Sequence, residues 1–358
     1  MGGMSKLSNF YHDKPVFGFD LGHGSLKVMQ IDMTKPQPRV LGYGTTAFDP
    51  TAVKDGVIVK PEIIAQSMQD LFKNHLIGNI STRRVAVSIP AYRAFSRSMV
   101  LPKLKAKDLE DAVRLEVEQY IPMPLEDLYY DYHVTNQAEE QTELFAVAFP
   151  RAIVDSYTVL TQLMGLEVVL VETTMAAAAR LFKHDRHSDV ATVIIDFGSL
   201  TADISIFHNE VLVTGTVAGG GLVFTHALRD KLGVSDAEAA TIKTKYGLAV
   251  SKKQDTIREI LTPTLQLLLK EIRRMMRYYE ERYGNQQKIG QIVMLGGGAN
   301  MPGLADYLTA ELRLPVRTHD PWSYIDYKGL QPPSGPDRPM YATVAGLAMV
   351  DPKGVFNS

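Results

Sequence analysis

The chain has 358 residues, of which 45% are hydrophobic and 22% are charged, a composition typical of a folded globular protein. Its 38 basic and 40 acidic side chains give a formal net charge of −2, which argues against a dedicated nucleic-acid binder because phosphate contacts need a basic surplus. The sequence contains no cysteine, which excludes disulfides, thiolate metal sites and cysteine nucleophiles. Its N-terminus is polar and it has no run of about 20 apolar residues, so we expect a cytoplasmic protein without direct membrane insertion.

The first elements in chain order are strands. Residues Val16–Asp32 place apolar runs on both sides of a glycine-rich step, which predicts two strands joined by a tight turn. A third strand follows near Arg39–Phe48, and apolar residues at helical spacing predict a helix over Lys60–His75.

A change of pattern near Arg83 predicts a small α+β unit at residues 83–164. Its predicted elements are strands at 85–90 and 96–102, a helix at Lys105–Tyr120, strands at Leu128–Thr135 and Leu144–Phe149, and a helix at Arg151–Met164. Ile121, which follows the first helix, is expected to line either the core of this unit or a groove beside it.

The second half of the chain begins with a strand that runs into an Ala-rich helix, at residues 167–182, and a polar linker at 184–189. A hairpin with its turn at Asn209–Glu210, a long helix at Thr262–Tyr283 and a last helix near Ala342–Met349 are predicted after it.

An internal repeat connects the two halves. Residues 19–31 (FDLGHGSLKVMQI) and 195–207 (IDFGSLTADISIF) each consist of an apolar strand, an Asp-x-Gly turn and a second apolar strand. Two copies half a chain apart predict two similar domains that face each other.

Both repeats carry residues suited to phosphate. In the first, Gly22 and Gly24 free backbone N–H groups to cradle a phosphate, Lys27 can reach a terminal phosphate, and Asp20 suits a hydrated Mg²⁺. The alternative is a hairpin with an ordinary glycine turn and a solvated lysine.

In the second repeat, Gly198 allows close backbone approach, Ser199 and Thr201 offer hydroxyl donors, and Asp196 can orient Mg²⁺ through water. Further on, the three glycines Gly296–Gly298 leave a flat backbone for a base and ribose, or form a plain strand-to-helix turn.

The order of these three motifs resembles the actin-like ATPase superfamily. That resemblance implies an α/β, actin-like (ribonuclease H-like) two-lobed ATPase fold with a small inserted α+β domain, which binds ATP or ADP with Mg²⁺ between its lobes. By that resemblance the nucleotide-binding residues are Asp20, Gly22, Gly24, Ser25, Lys27, Asp196, Gly198, Ser199, Thr201, Gly219, Gly220, Lys243, Gly296, Gly297 and Gly298.

Several segments resemble the PilM family of type IV pilus assembly proteins, whose nearest relatives are FtsA and the type II secretion L-type proteins. The most specific is EQYIPMPLED at 118–127, and the others lie at 165–181, 262–282 and 295–308. The implied first actin-like domain consists of residues 14–82, 165–189 and 335–350, and an SHS2-type unit is inserted at 83–164. The implied second actin-like domain consists of residues 190–334 and includes a helical subdomain at about 222–285.

The function implied by this resemblance is a cytoplasmic ATP-binding component of the pilus inner-membrane assembly platform, active in twitching motility. It would be peripheral to the membrane through a PilN-like protein, whose cytoplasmic N-terminal peptide docks beside the inserted unit. Other platform proteins and a homo-oligomer are further possible partners, and nucleic acid is not expected. The alternatives are an FtsA-like or L-type scaffold and, less favoured, a small-molecule kinase, which requires a catalytic Asp.

The sequence departs from the family pattern at three sites. Where such chains have an acid two positions beyond Glu172, this one has Thr174; these two are the candidates for positioning water, and slow or no hydrolysis is expected. Lys243 matches a ribose-side lysine, but Ala240 stands where a Glu is expected and Glu238 lies five residues before the lysine. His23 in the first turn is also unusual.

Overall fold

A six-stranded sheet organises the first of two units, and a five-stranded sheet organises the second. The computed structural model describes residues 14–182, 190–284, 288–327 and 329–351. The first unit contains the chain up to Leu181 with Tyr324–Pro332 and the residues from Thr343 onward, and the second contains Phe182–Ser323 and Pro333–Ala342. The polar linker predicted at 184–189 lies outside the described residues.

The first half of the chain alternates strands and helices. In chain order these are β1 (Phe17–Leu21), β2 (Ser25–Asp32), β3 (Arg39–Ala47), β4 (Val53–Lys54), β5 (Val57–Ile58), α1 (Pro61–Asp70), β6 (Ile77–Gly78), β7 (Arg84–Ile89), β8 (Phe95–Pro102), α2 (Ala106–Tyr120), β9 (Leu128–Gln137), β10 (Gln141–Pro150), α3 (Arg151–Leu163), β11 (Glu167–Thr173) and α4 (Thr174–Phe182).

The six strands of the main sheet lie in the order β11-β7-β1-β2-β3-β6. β1 pairs antiparallel with β2 and parallel with β7, and β7 pairs parallel with β11. Every residue of β1 is buried, as expected for a central strand covered on both faces. α1 and α3 contribute to the core on one face, whereas Ala177 of α4 and Leu347 contribute to a separate core cluster with Val16 and Ala86.

The inserted unit is a three-stranded sheet, ordered β8-β10-β9, with α2 packed on one face. The apolar stripe of α2, Leu109, Val113 and Val117, packs against Leu144 and Ala146 of the central strand. Ile121 is buried in the same cluster, so it belongs to the core of this unit.

The inserted unit is narrower than the predicted residues 83–164. β7 lies in the main sheet between β1 and β11, and α3 packs Ile153, Tyr157 and Leu160 into the main core. The insertion therefore spans β8 to β10. An apolar strand such as β7 does not show in its sequence which parallel partners it has, because those partners are distant along the chain.

The second half of the chain repeats the sheet of the first. Its elements are β12 (Ala191–Phe197), β13 (Thr201–His208), β14 (Glu210–Ala218), α5 (Gly221–Leu232), α6 (Asp236–Lys245), α7 (Gln254–Tyr283), β15 (Ile289–Leu295), α8 (Leu304–Leu312), β16 (Val316–Thr318) and α9 (Ala342–Ala348). The order β14-β13-β12-β15-β16 reproduces β3-β2-β1-β7-β11 with the same parallel and antiparallel pairings. The internal repeat predicted from the sequence is confirmed.

The long helix α7 begins eight residues before its predicted start at Thr262. Pro263, which has no N–H to donate, therefore lies inside the helix and not in its first turn. The predicted turn at Asn209 is confirmed, because this residue has φ +65° between β13 and β14. Within the ranges that the structure describes, no helix is both long and apolar enough to cross a bilayer.

Candidate nucleotide site

The first glycine hairpin joins β1 to β2. The Gly22 N–H donates to the Ser25 carbonyl at 2.8 Å, which closes the turn. Asp20 and Lys27 are register partners behind the turn, and the Lys27 ammonium lies 3.2 Å from one Asp20 oxygen. The Ser88 hydroxyl donates to the other oxygen at 2.9 Å. Both charged side chains are buried, so the negative charge of Asp20 is balanced by the ammonium of Lys27 within the hairpin.

The second hairpin joins β12 to β13 by the same device. The Gly198 N–H donates to the Thr201 carbonyl at 3.0 Å, the same three-residue closure as in the first turn. Here the register partner of Asp196 is Asp203, where the first hairpin has Lys27. The second hairpin therefore has two acids at the position where the first has an ion pair.

Asp203 is a candidate site residue that the sequence reasoning missed. It is 6% exposed, and burial raises its pKa to about 6, while hydrogen bonds from Thr216 and Thr201 act in the opposite direction. The Thr216 hydroxyl donates to it at 2.6 Å. The signal was present in the repeat: Asp203 follows Asp196 by seven residues, as Lys27 follows Asp20.

The loop before α5 packs directly on the second hairpin. The Gly221 N–H donates to the Gly198 carbonyl and the Leu222 N–H to the Ser199 carbonyl, both at 2.9 Å. A Cβ on Gly220 would lie 2.5 Å from the Gly198 carbonyl oxygen, so only glycine fits. The N-terminus of a 12-residue helix, with its partial positive charge, thus begins beside the turn.

Lys243 of α6 fixes the start of α5. Its ammonium donates to the Gly221 carbonyl and to the Thr225 hydroxyl, both at 2.8 Å, and burial lowers its pKa. Glu238 is used differently: its carboxylate accepts from the N–H of Ser235 in a capping box at the start of α6. Lys243 therefore lies with the predicted nucleotide-binding residues at the start of α5, whereas Glu238 has a local structural role in capping α6.

The triple glycine also lies against the second hairpin. Gly296 has φ +75°, and a Cβ there would collide with the Asp196 carboxylate. A Cβ on Gly298 would lie 2.8 Å from that of Phe197. Four predicted segments of the second unit, the Asp196 hairpin, the Gly219–Gly221 loop, Lys243 and the triple glycine, are thus brought together.

The two candidates for positioning water are both engaged within the first unit. The Glu172 carboxylate forms a bidentate pair with Arg180, with both N–O distances 2.7 Å. The Thr174 hydroxyl accepts a hydrogen bond from the Ala91 N–H at 3.2 Å. His23 is exposed at the tip of the first turn. That the two hairpins act on one nucleotide stays a prediction.

Comparison with solved structures identifies the fold. The chain superimposes on a structure described as the PilM-PilN type IV pilus biogenesis complex with a TM-score of 0.80 and 22% identity, covering 94% of this chain and 98% of that one. It matches MreB 5 of Spiroplasma citri bound to AMPPNP with a TM-score of 0.54 and 12% identity, over 93% and 95% of the two chains. The fold is the actin-like, ribonuclease H-like α/β fold, as predicted.

The family model for the type IV pilus assembly protein PilM matches residues 18–351, and the chain belongs to that family. Curated relatives include the cell division protein FtsA of Enterococcus faecalis, 21% identical over 84% of this chain and 78% of that protein. FtsA of Pseudomonas aeruginosa is 23% identical over 96% and 90%. The resemblance stated from the sequence is confirmed.

We predict that Asp203→Asn stabilises the protein at neutral and higher pH. A carboxyl pKa raised from 3.8 to about 6 means that ionising the buried group between these values costs up to roughly 3 kcal/mol of folding free energy. The variant, which keeps the acceptor for Thr216, should melt at a higher temperature than wild type at pH 8, and the difference should vanish near pH 4.

Thermal melts of the two proteins from pH 4 to pH 8 make this measurement, with the exposed Glu259→Gln of α7 as control. A variant that melts at or below the wild-type temperature at pH 8 would show that Asp203 is not held as a desolvated charge.

Proposed function

We propose that the chain is a nucleotide-binding component of the type IV pilus inner-membrane assembly platform, and that it docks the cytoplasmic N-terminal peptide of a PilN-like membrane protein. The single observation that carries the nucleotide part is that the Gly219–Gly221 loop and the triple glycine pack on the Asp196 hairpin, with Lys243 bound to the start of α5. Membership of the PilM family supports the pilus part.

The phosphate chemistry follows from the charges of the second unit. The positive end of α5 and the ammonium of Lys243 lie beside the glycine turn and form an environment that attracts anions. Asp196 and Asp203 repel a phosphate unless a cation lies between, so we propose that Mg²⁺ joins the nucleotide to these acids through water. The MreB 5 structure, which has the same fold, contains AMPPNP.

The first hairpin fits Mg²⁺ less well. Both Asp20 oxygens already accept from Lys27 and Ser88, so a cation near this acid competes with the lysine ammonium. We propose that Asp196, with Asp203, is the main acid for the cation, because this hairpin has two acids in register whereas the first has one acid paired with a lysine. Lys27 serves as the partner of Asp20 and becomes available to a phosphate only when that ion pair opens.

For the peptide, the exposed and half-buried residues where the inserted unit joins the main sheet offer the best surface. This junction cluster combines two tyrosines, two arginines and two acids: Asp55, Tyr92, Arg93, Tyr129, Arg151 and Asp155. Tyrosine and arginine are the residue types enriched at interfaces.

The cluster is held in place by its own contacts. The Arg151 guanidinium lies 4.0 Å from the centre of the Tyr129 ring, the Tyr129 hydroxyl donates to Asp155 at 3.1 Å, and Arg93 pairs with Asp55 at 2.9 Å. β8 and β9 are the outer strands of the inserted sheet, so an extended peptide can add to either edge by backbone hydrogen bonds.

We predict that Asp196→Ala weakens Mg²⁺–ATP binding by at least about tenfold, because the hydrated cation loses an acid. Isothermal titration of the full chain with ATP and Mg²⁺ measures this, with Asp306→Ala, an exposed acid of α8, as the matched control. Equal affinity of wild type and Asp196→Ala would make the second hairpin purely structural.

Hydrolysis should be slow without partners. Glu172 is held by Arg180 and Thr174 has no carboxylate, so neither candidate supplies a base for water. We predict fewer than about one turnover per second, at or below the low end of typical enzyme rates, in a phosphate-release assay of the purified chain. Turnover of many per second would require a water-positioning group elsewhere.

For the partner, we predict that Tyr129→Ala lowers the affinity for a labelled peptide of the PilN N-terminus by about tenfold and leaves Mg²⁺–ATP binding unchanged. Tyr129 is 40% exposed, and Tyr278→Ala on α7, at 47% exposed, is the matched control. Fluorescence anisotropy of the peptide makes the comparison. If both variants bind the peptide as wild type does, the docking surface is elsewhere.

A further inference from the structure

A second surface of the first unit, distinct from the junction cluster, forms an apolar groove. It has a volume of about 450 Å³ and lies where the end of α1 meets the C-terminal end of α3. We define this α1–α3 groove by its lining residues, which are mostly apolar and come mostly from helical segments: Met68, Gln69, Phe72, Lys73, Leu163, Met164 and Leu166.

The groove exposes apolar surface that the core does not use. Phe72 is 37% exposed and Leu163 is 56% exposed, and Val159, one turn before Leu163 on α3, is 53% exposed. Phe72 is nevertheless firmly seated, because its ring packs edge-on against Phe17 with 6.3 Å between ring centres. Met164, which is half-buried, adds a flexible side chain to the lining that can adapt to a partner, whereas Met68 is buried beneath it in the core.

A π-helical turn at Leu71–His75 shapes one wall of the groove. Such turns are rare and recur at functional sites, since the extra residue redirects side chains from the regular helix. Here the turn contains both Phe72 and Lys73, the aromatic and the cationic members of the lining.

The charge of the groove indicates its occupant. Lys73 is the charged residue in the lining, is exposed, and makes no ion pair or side-chain hydrogen bond within the described part of the chain. The neighbouring acid, Asp70, is already engaged by Asn74 at 2.6 Å and His75 at 3.2 Å. An apolar groove beside an unpaired ammonium is complementary to an apolar partner that carries a carboxylate.

We propose that the α1–α3 groove docks an acidic amphipathic helix of a partner protein. Apolar side chains of the helix, spaced three and four residues apart, enter between Phe72 and Leu163, and a flanking carboxylate pairs with Lys73. The walls are helical segments that present side chains, which favours a helix over an added strand. Along α3 this site lies roughly 18 Å from Arg151 of the junction cluster, so two partners can be bound independently.

The test uses the full chain and three labelled 16-residue helical peptides with the same apolar face but acidic, neutral or basic flanks. Fluorescence anisotropy at low salt should show the acidic peptide binding at least about fivefold more tightly than the basic one. Lys73→Glu should reverse that order. Leu163→Asp should abolish binding of all three peptides, while Leu267→Asp on α7, at a matched 58% exposed, should leave it unchanged.

Three results would overturn the proposal: no binding of the acidic peptide, a preference that Lys73→Glu does not change, or equal losses from Leu163→Asp and Leu267→Asp. Sedimentation velocity covers the alternative occupant. If the chain self-associates and Leu163→Asp makes it monomeric, the groove is filled by a second copy, and the assignment to an acidic helix is wrong.

Discussion

Backbone packed against backbone, with no side chain between, is the constraint on which the second unit's site depends. Gly220 approaches the Gly198 carbonyl so closely that a Cβ would lie 2.5 Å from its oxygen. Gly296 meets the backbone of Phe197 in the same way, with a Cβ 2.5 Å from its carbonyl oxygen, and takes φ +75°, a conformation that other residues rarely adopt. Without these contacts the start of α5 and the triple-glycine loop would move away from the hairpin that they now surround.

The two copies of the repeat share a backbone and differ in charge. Lys27 and Asp203 occupy the same register position, opposite Asp20 and Asp196 respectively. The charge of Asp20 in the first hairpin is consequently balanced by Lys27, whereas the second hairpin places the buried Asp203 opposite another acid. The two copies thus share one turn geometry, and a single difference of residue gives the second copy two acids where the first has an ion pair.

The sequence predicted the features that depend on local pattern. The glycine hairpins, their repetition and the apolar stripe of α2 follow from spacing alone, and the structure has them. The placement of β7 did not follow, because a buried parallel strand pairs with segments distant along the chain. The sequence did not show that Asp203 is buried, because its burial comes from packing of the second unit. It did not show the pairing of Glu172 with Arg180 either, because that pair depends on how α4 folds back after β11.

The most direct test of the account is a crystal structure of the full chain with AMPPNP and Mg²⁺. The account predicts that the phosphates lie against the Gly198–Thr201 turn and the start of α5, and that Mg²⁺ is joined to Asp196 through water. A nucleotide bound away from these residues, or none at saturating concentration, would contradict it.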